Sequence, residues 1–105
     1  MKKYLVAAHF EVEEGSFERF VEEAEKVAHA SVREEPGCER YDVLVSRSGG
    51  PQGTLYEIYA QKSDHDAHKK MPYFLNFWIA IADLRVKWVV EHGELSLRNE
   101  FTSPR

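Results

Sequence analysis

A single cysteine, Cys38, in 105 residues excludes an internal disulfide framework and makes the reducing cytoplasm the expected location. Lys and Arg are not clustered with interleaved aromatics, and a formal net charge of -4 argues against nucleic acid as a partner. No apolar run is long enough to span a bilayer, and no charged-then-apolar leader opens the chain, so no membrane association is expected. The sequence has no paired cysteines, no His-Glu-x-x-His spacing and no Gly-x-Ser-x-Gly elbow. His65 and His68 stand three residues apart beside Asp64 and Asp66, but two ligands do not make a metal site, and a solvated helix face explains the cluster. The glycine-rich stretch 48–53 joins two strands and does not open a helix, which excludes a phosphate-binding loop.

What is present is globular. With 43% hydrophobic and 30% charged residues the composition is ordinary for a folded domain, and the length suits one domain, residues 1–101, with a tail at 102–105. Two runs, 39–46 and 54–61, are rich in β-branched and aromatic residues and flank a Gly/Pro/Ser-rich connection, which predicts a hairpin with a loop. Alternation places Tyr41, Val43 and Val45 on one face, and Arg40, Asp42, Leu44 and Ser46 on the other. In the second run Leu55, Glu57 and Tyr59 oppose Tyr56, Ile58 and Ala60. Both faces are partly apolar. A second subunit is the economical cover for the outer one, so a homodimer is expected.

Around the hairpin, residues 4–12 read as a strand with Tyr4, Val6, Ala8, Phe10 and Val12 on one face. Ser16 is placed to cap a helix whose stripe is Phe17, Phe20, Val21, Ala24, Val27, Ala28 and Val32. Pro36 ends it, and Gly37 offers a positive φ for the turn back. Ser63 or Asp64 caps a short helix over 64–70. Helical spacing from Tyr73 through Phe74, Phe77, Trp78, Ile81, Leu84 and Trp88 predicts one long helix to about Glu91, with Gly93 as its stop. Residues 94–101 alternate and read as the last strand. The order is βαββααβ, an α+β chain with an antiparallel sheet and ferredoxin-like topology.

Glu35-Pro36-Gly37-Cys38-Glu39-Arg40-Tyr41-Asp42-Val43, then Leu55-Tyr56-Glu57-Ile58-Tyr59, then His68 and Met71-Pro72-Tyr73-Phe74 resemble the antibiotic biosynthesis monooxygenase superfamily. The likeness is to its small stand-alone members, which include quinol monooxygenases and autoinducer-2 processing enzymes. It implies a dimeric α+β barrel, a pocket between each sheet and its helices, and chemistry on a small substrate with dioxygen and no cofactor. Tyr73 stands where family members often carry a second His after the proline.

His68 is the leading candidate for a base, since imidazole titrates near neutrality and can take a proton from a phenol or enol. Glu57, a carboxylate among apolar strand residues, must be paired or protonated, and could orient His68 or bind a substrate hydroxyl. Tyr41 could donate to a substrate oxygen. Phe74 and Trp78, with Phe77 and Trp88, could wall a pocket or be plain core. His9 and Tyr73 are further contact candidates, and Arg40, Lys69 and Lys70 are the cations available to a phosphate. The expected function is a monooxygenase on a small electron-rich hydroxylated or quinol-type substrate. Alternatives are an acid/base isomerase of a phosphorylated diketone, a non-catalytic ligand-binding dimer, and a haem-degrading enzyme with His68 on the iron.

Overall fold

The computed structural model describes residues 2–46 and 48–96. Strand β1 (Lys2–Glu11) leads through a 3-10 turn (Glu14–Ser16) into helix α1 (Phe17–Glu34). Strands β2 (Cys38–Val45) and β3 (Gln52–Tyr59) form the hairpin. Helices α2 (Lys62–His68) and α3 (Pro72–Ala80), a 3-10 turn (Ala82–Leu84) and strand β4 (Lys87–Ser96) complete the order βαββααβ. The sheet runs β2-β3-β1-β4 with every pair antiparallel, and the helices lie on one side, so the fold is α+β and ferredoxin-like.

Alternation decides which side chains meet the helices. Tyr4, Val6, Ala8 and Phe10 of β1 and Leu55 and Tyr59 of β3 are buried on the helix-facing side, in one core with Phe20, Ala24, Val27 and Ala28 of α1. Each fully buried aliphatic or aromatic side chain adds about 1.5–3 kcal/mol to the core. Phe10 and Phe20 pack in it with tilted rings, centroids 4.3 Å apart. Val32, placed on the apolar stripe of α1 by its spacing, is 49% exposed.

The long helix expected from Tyr73 to about Glu91 is not formed. It stops at Ala80, Ile81 leaves helical geometry, and Arg85 takes the left-handed conformation with φ 55°, which turns the chain into β4. Trp88 therefore lies on a strand, opposite Phe10. The misreading has a cause: Phe77, Ile81, Leu84 and Trp88 fall at helical spacing, while Val86, Trp88, Val90 and His92 alternate as a strand does. The last strand thus begins at Lys87 where residue 94 was expected, and of the expected run 94–101 residues 97–101 lie outside the described residues.

Two smaller expectations also fail. The side chains of Ser16, Ser63 and Asp64 make no capping bond; α2 opens two residues earlier than expected, after Gln61. Positive φ among the described glycines occurs at Gly50, in the hairpin loop. At Gly37 the close neighbour is the Asp64 carboxyl group, which would have to shift to admit a Cβ, since its carbon would lie 2.2 Å away.

Among the described residues no helix covers the opposite side of the sheet. Leu5, Ala7, Leu44, Tyr56, Ile58 and Val89 fall on it by alternation and register, with Leu44 50% and Val89 67% exposed. Among the described residues no helix is long and apolar enough to cross a membrane.

Candidate active site

Between the helix-facing side of the sheet and helices α2 and α3 lies a cavity of about 280 Å3. Its floor is Tyr4, Val6, Ala8, Leu55 and Glu57, with Tyr41, Trp88, Val90 and His92 from the outer strands; its roof is Phe74, Phe77 and Trp78 of α3. Lys62, His65 and Asp66 of α2 and Lys69 just after it enter on one face, set by their spacing of three and four. The walls are chiefly apolar with a few polar groups, which is the composition of a small-molecule site.

Glu57 is the chemical centre of this cavity. Only 5% exposed, it is pushed up from 4.5 to about 7, first by burial and further by the charge of Glu35. The Tyr59 hydroxyl donates to its Oε1 at 2.6 Å, and this bond, with a smaller contribution from Tyr41, limits the rise. The Tyr41 hydroxyl is itself held well above its ordinary range, by burial first and then by Glu57, so it stays a neutral donor. A carboxyl group poised near neutrality inside a cavity can both accept and return a proton.

Histidines stand on the other walls. His65 is pushed down to about 4, by burial first and then by the charges of Lys69 and His68, and is therefore a neutral imidazole at physiological pH. Its ring stacks on Tyr4, centroids 5.5 Å apart. On β4, His92 Nδ1 and the Tyr4 hydroxyl are hydrogen-bonded at 2.6 Å.

The residues expected from the sequence divide between three places. Glu57, Tyr41, Phe74 and Trp78 meet in the cavity, with Lys69 at its rim. His68 and Tyr73 stand behind the cavity wall. His68 is 1% exposed and is a core member, contrary to the expectation that its short helix would leave it outside. Its Nδ1 lies 3.0 Å from Glu35 Oε2 and 3.4 Å from Ser31 Oγ. Because the Ser31 hydroxyl donates to Val27 O at 2.6 Å and the carboxylate only accepts, Nδ1 carries the proton. The Tyr73 hydroxyl donates to the same Glu35 oxygen, so the partner expected of Glu57 is supplied by Glu35. His9 and Arg40 face away, on the helix-free side of the sheet. His9 bonds Thr54 and Glu91 there, and Arg40 pairs with Asp42.

Tyr4, His65 and His92 on the cavity wall, and Glu35 behind it, are candidates that the residue pattern alone does not single out. A carboxylate just before Pro36 signals only a helix end, and His92 was hidden by the misread strand. The i, i+3 pair His65 and His68 had the look of a solvated face. Among the described residues no three His, Cys, Asp or Glu side chains could hold a metal ion. A haem iron does not fit His68 as ligand, since that ring is sealed behind the wall and bonded to Glu35.

A family model described as antibiotic biosynthesis monooxygenase matches residues 3–78, most of the chain. The chain belongs to the antibiotic biosynthesis monooxygenase family. Among solved structures, a protein named "Putative antibiotic biosynthesis monooxygenase from Nitrosomonas europaea" is 30% identical, with 87% of this chain and 89% of that one covered and a TM-score of 0.76. One of the same name from Caulobacter crescentus is 21% identical over 90% of both chains, TM-score 0.83, and shares the fold. A conserved protein of unknown function from Bacteroides thetaiotaomicron is 22% identical over 89% of this chain and 97% of that one, TM-score 0.82. No curated relative matches the chain. The family is a monooxygenase-like one, and the cavity between sheet and helices is the candidate site of this member.

Proposed function

We propose that this protein is a cofactor-independent monooxygenase of small quinol-type substrates, with Glu57 as the base. The observation that carries the proposal is a buried carboxyl group pushed up to about 7 on the floor of an aromatic cavity. In this reading a substrate hydroxyl gives its proton to Glu57 while Tyr41 donates to the substrate oxygen. The resulting anion is electron-rich enough to reduce dioxygen. One oxygen atom enters the ring and the other leaves as water. For a quinol becoming a hydroxyquinone the substrate supplies all four electrons, so no external reductant is needed. His68, bonded to Glu35 and Tyr73 behind the wall, is then a positioning residue that seats Tyr41, His65 and Phe74, with ring centroids 4.9–6.1 Å from its own.

Family membership supports this reaction class, and the helix-free sheet face supports a homodimer, with the second copy laid on Leu44, Ile58 and Val89. A second reading is favoured by one feature, the pair Lys62 and Lys69 at the rim, which suits a phosphorylated diketone undergoing acid/base isomerisation. Both lysines already share Asp66, at 3.3 Å and 3.8 Å, which weakens that claim.

The test is turnover of a quinol panel under labelled dioxygen. Uptake of one oxygen atom per product, abolished by Glu57→Gln, is the expected result. Turnover of a phosphorylated diketone with no oxygen present would give the site to the isomerase reading.

A further inference from the structure

We propose that His92, oriented by Tyr4, is a specificity-determining residue: the second polar end of the cavity, which selects ring substrates carrying oxygens on opposite edges. The inference rests on the quinol-type reading of Glu57 and adds to it what reads the far side of the substrate.

The sheet register supplies the geometry. Tyr41 pairs with Glu57, Glu57 with Val6, and Val6 with His92, so one transverse row crosses all four strands with every member on the cavity side. Glu57 and His92 are two strand spacings apart, about 10 Å at the backbone. Between them in this row stands Val6, which can touch a ring but cannot bond an oxygen. Phe74 and Trp78 close the space from above. A flat ring laid along this row meets a proton acceptor and donor at the Glu57 end and an imidazole at the other. A ring with one oxygen, or with two on adjacent carbons, satisfies only one end.

The imidazole is aimed. The Tyr4 hydroxyl, on a ring only 5% exposed, holds Nδ1 at 2.6 Å, which fixes the plane of the ring and leaves Nε2 available to a ligand. Tyr4 is in turn stacked on His65, so it cannot swing away from His92 without disturbing the wall. Lys62 and Lys69 do not compete for this role, since Asp66 already engages both.

The experiment is calorimetric titration without oxygen, so that binding is read apart from turnover, using 1,4-dihydroxynaphthalene and 1-naphthol. The two differ only by the far hydroxyl. Wild-type protein should bind the diol about tenfold more tightly, the scale of one well-placed hydrogen bond. In His92→Phe the two should bind within a factor of about two, with the naphthol affinity retained. Tyr4→Phe, which keeps the buried ring and removes only the hydroxyl, should reduce the preference in the same sense, and His92→Gln should restore part of it. If His92→Phe binds both compounds and keeps the wild-type preference, His92 has no such role and the quinol reading is untouched. If wild-type protein binds neither compound, the quinol reading fails and this inference fails with it.

Discussion

Glu35 and His68, thirty-three residues apart, meet at 3.0 Å in a site where both side chains are buried. The contact ties the segment after α1 to the end of α2, and the Tyr73 hydroxyl adds α3 to the same carboxylate oxygen. Losing His68 strips the buried Glu35 carboxylate of one partner, losing Glu35 strips the buried imidazole of its carboxylate, and truncating His68 also opens a cavity. His68→Ala should therefore cost roughly 3 kcal/mol of stability in urea denaturation, and Tyr73→Phe roughly 1 kcal/mol. An alanine variant as stable as the wild type would mean that the network contributes no net stability.

Cys38 should be inert in the native protein. Burial first, and then the charges of Glu35 and Glu57, push its thiol up to about 12, and a thiol rather than thiolate is a poor nucleophile. A disulfide reagent at about pH 8 should label it only after denaturant is added. Fast, stoichiometric labelling of folded protein would contradict the burial described here.

Dimerisation should be visible and should depend on the helix-free face. Sedimentation at micromolar concentration is expected to give a dimer, and Ile58→Lys, which places a charge on that face, should give a monomer that keeps its secondary structure. Wild-type protein that sediments only as a monomer would remove the second copy from the proposal.

Purified protein should carry no flavin or haem absorbance, and dialysis against a chelator should leave its turnover of quinols unchanged. A bound flavin at one per chain would replace direct reaction of the substrate anion with dioxygen by a flavin mechanism.

Strand faces were the legible part of this chain, because alternation is local: Tyr4, Val6, Ala8 and Phe10 announce the core side of β1, and Leu55, Glu57 and Tyr59 that of β3. This is also why Glu57 was found, as a carboxylate in an apolar series. What stayed hidden depended on contacts distant in sequence. Nothing near Glu35 signals that its carboxylate meets His68 and Tyr73. At β4 two periodicities overlap, and the left-handed turn at Arg85 decides between them. A helical period carried through Arg85 puts Trp88 on a helix and hides His92.

Glu57 gives the most discriminating prediction, because activity and stability should move in opposite directions. The folded protein holds its proton up to about 7, whereas the unfolded chain releases it near 4.5. Between these values the folded state binds more protons, so the group's stabilising contribution is complete below about 4.5 and is lost as pH rises through about 7. Glu57→Gln cannot ionise and escapes this loss. Relative to wild type it should gain roughly 3 kcal/mol of stability between acid and mildly alkaline solution. Catalysis runs the other way, since only the carboxylate accepts the substrate proton. Wild-type turnover should rise with pH through about 7, where an ordinary glutamate would already be fully ionised. The glutamine variant should lack this limb and lose about a hundredfold or more in rate. Were the variant to keep both the limb and the rate, the base would lie elsewhere. Were it to lose the rate without the stability gain, Glu57 would be catalytic but not held protonated by its surroundings.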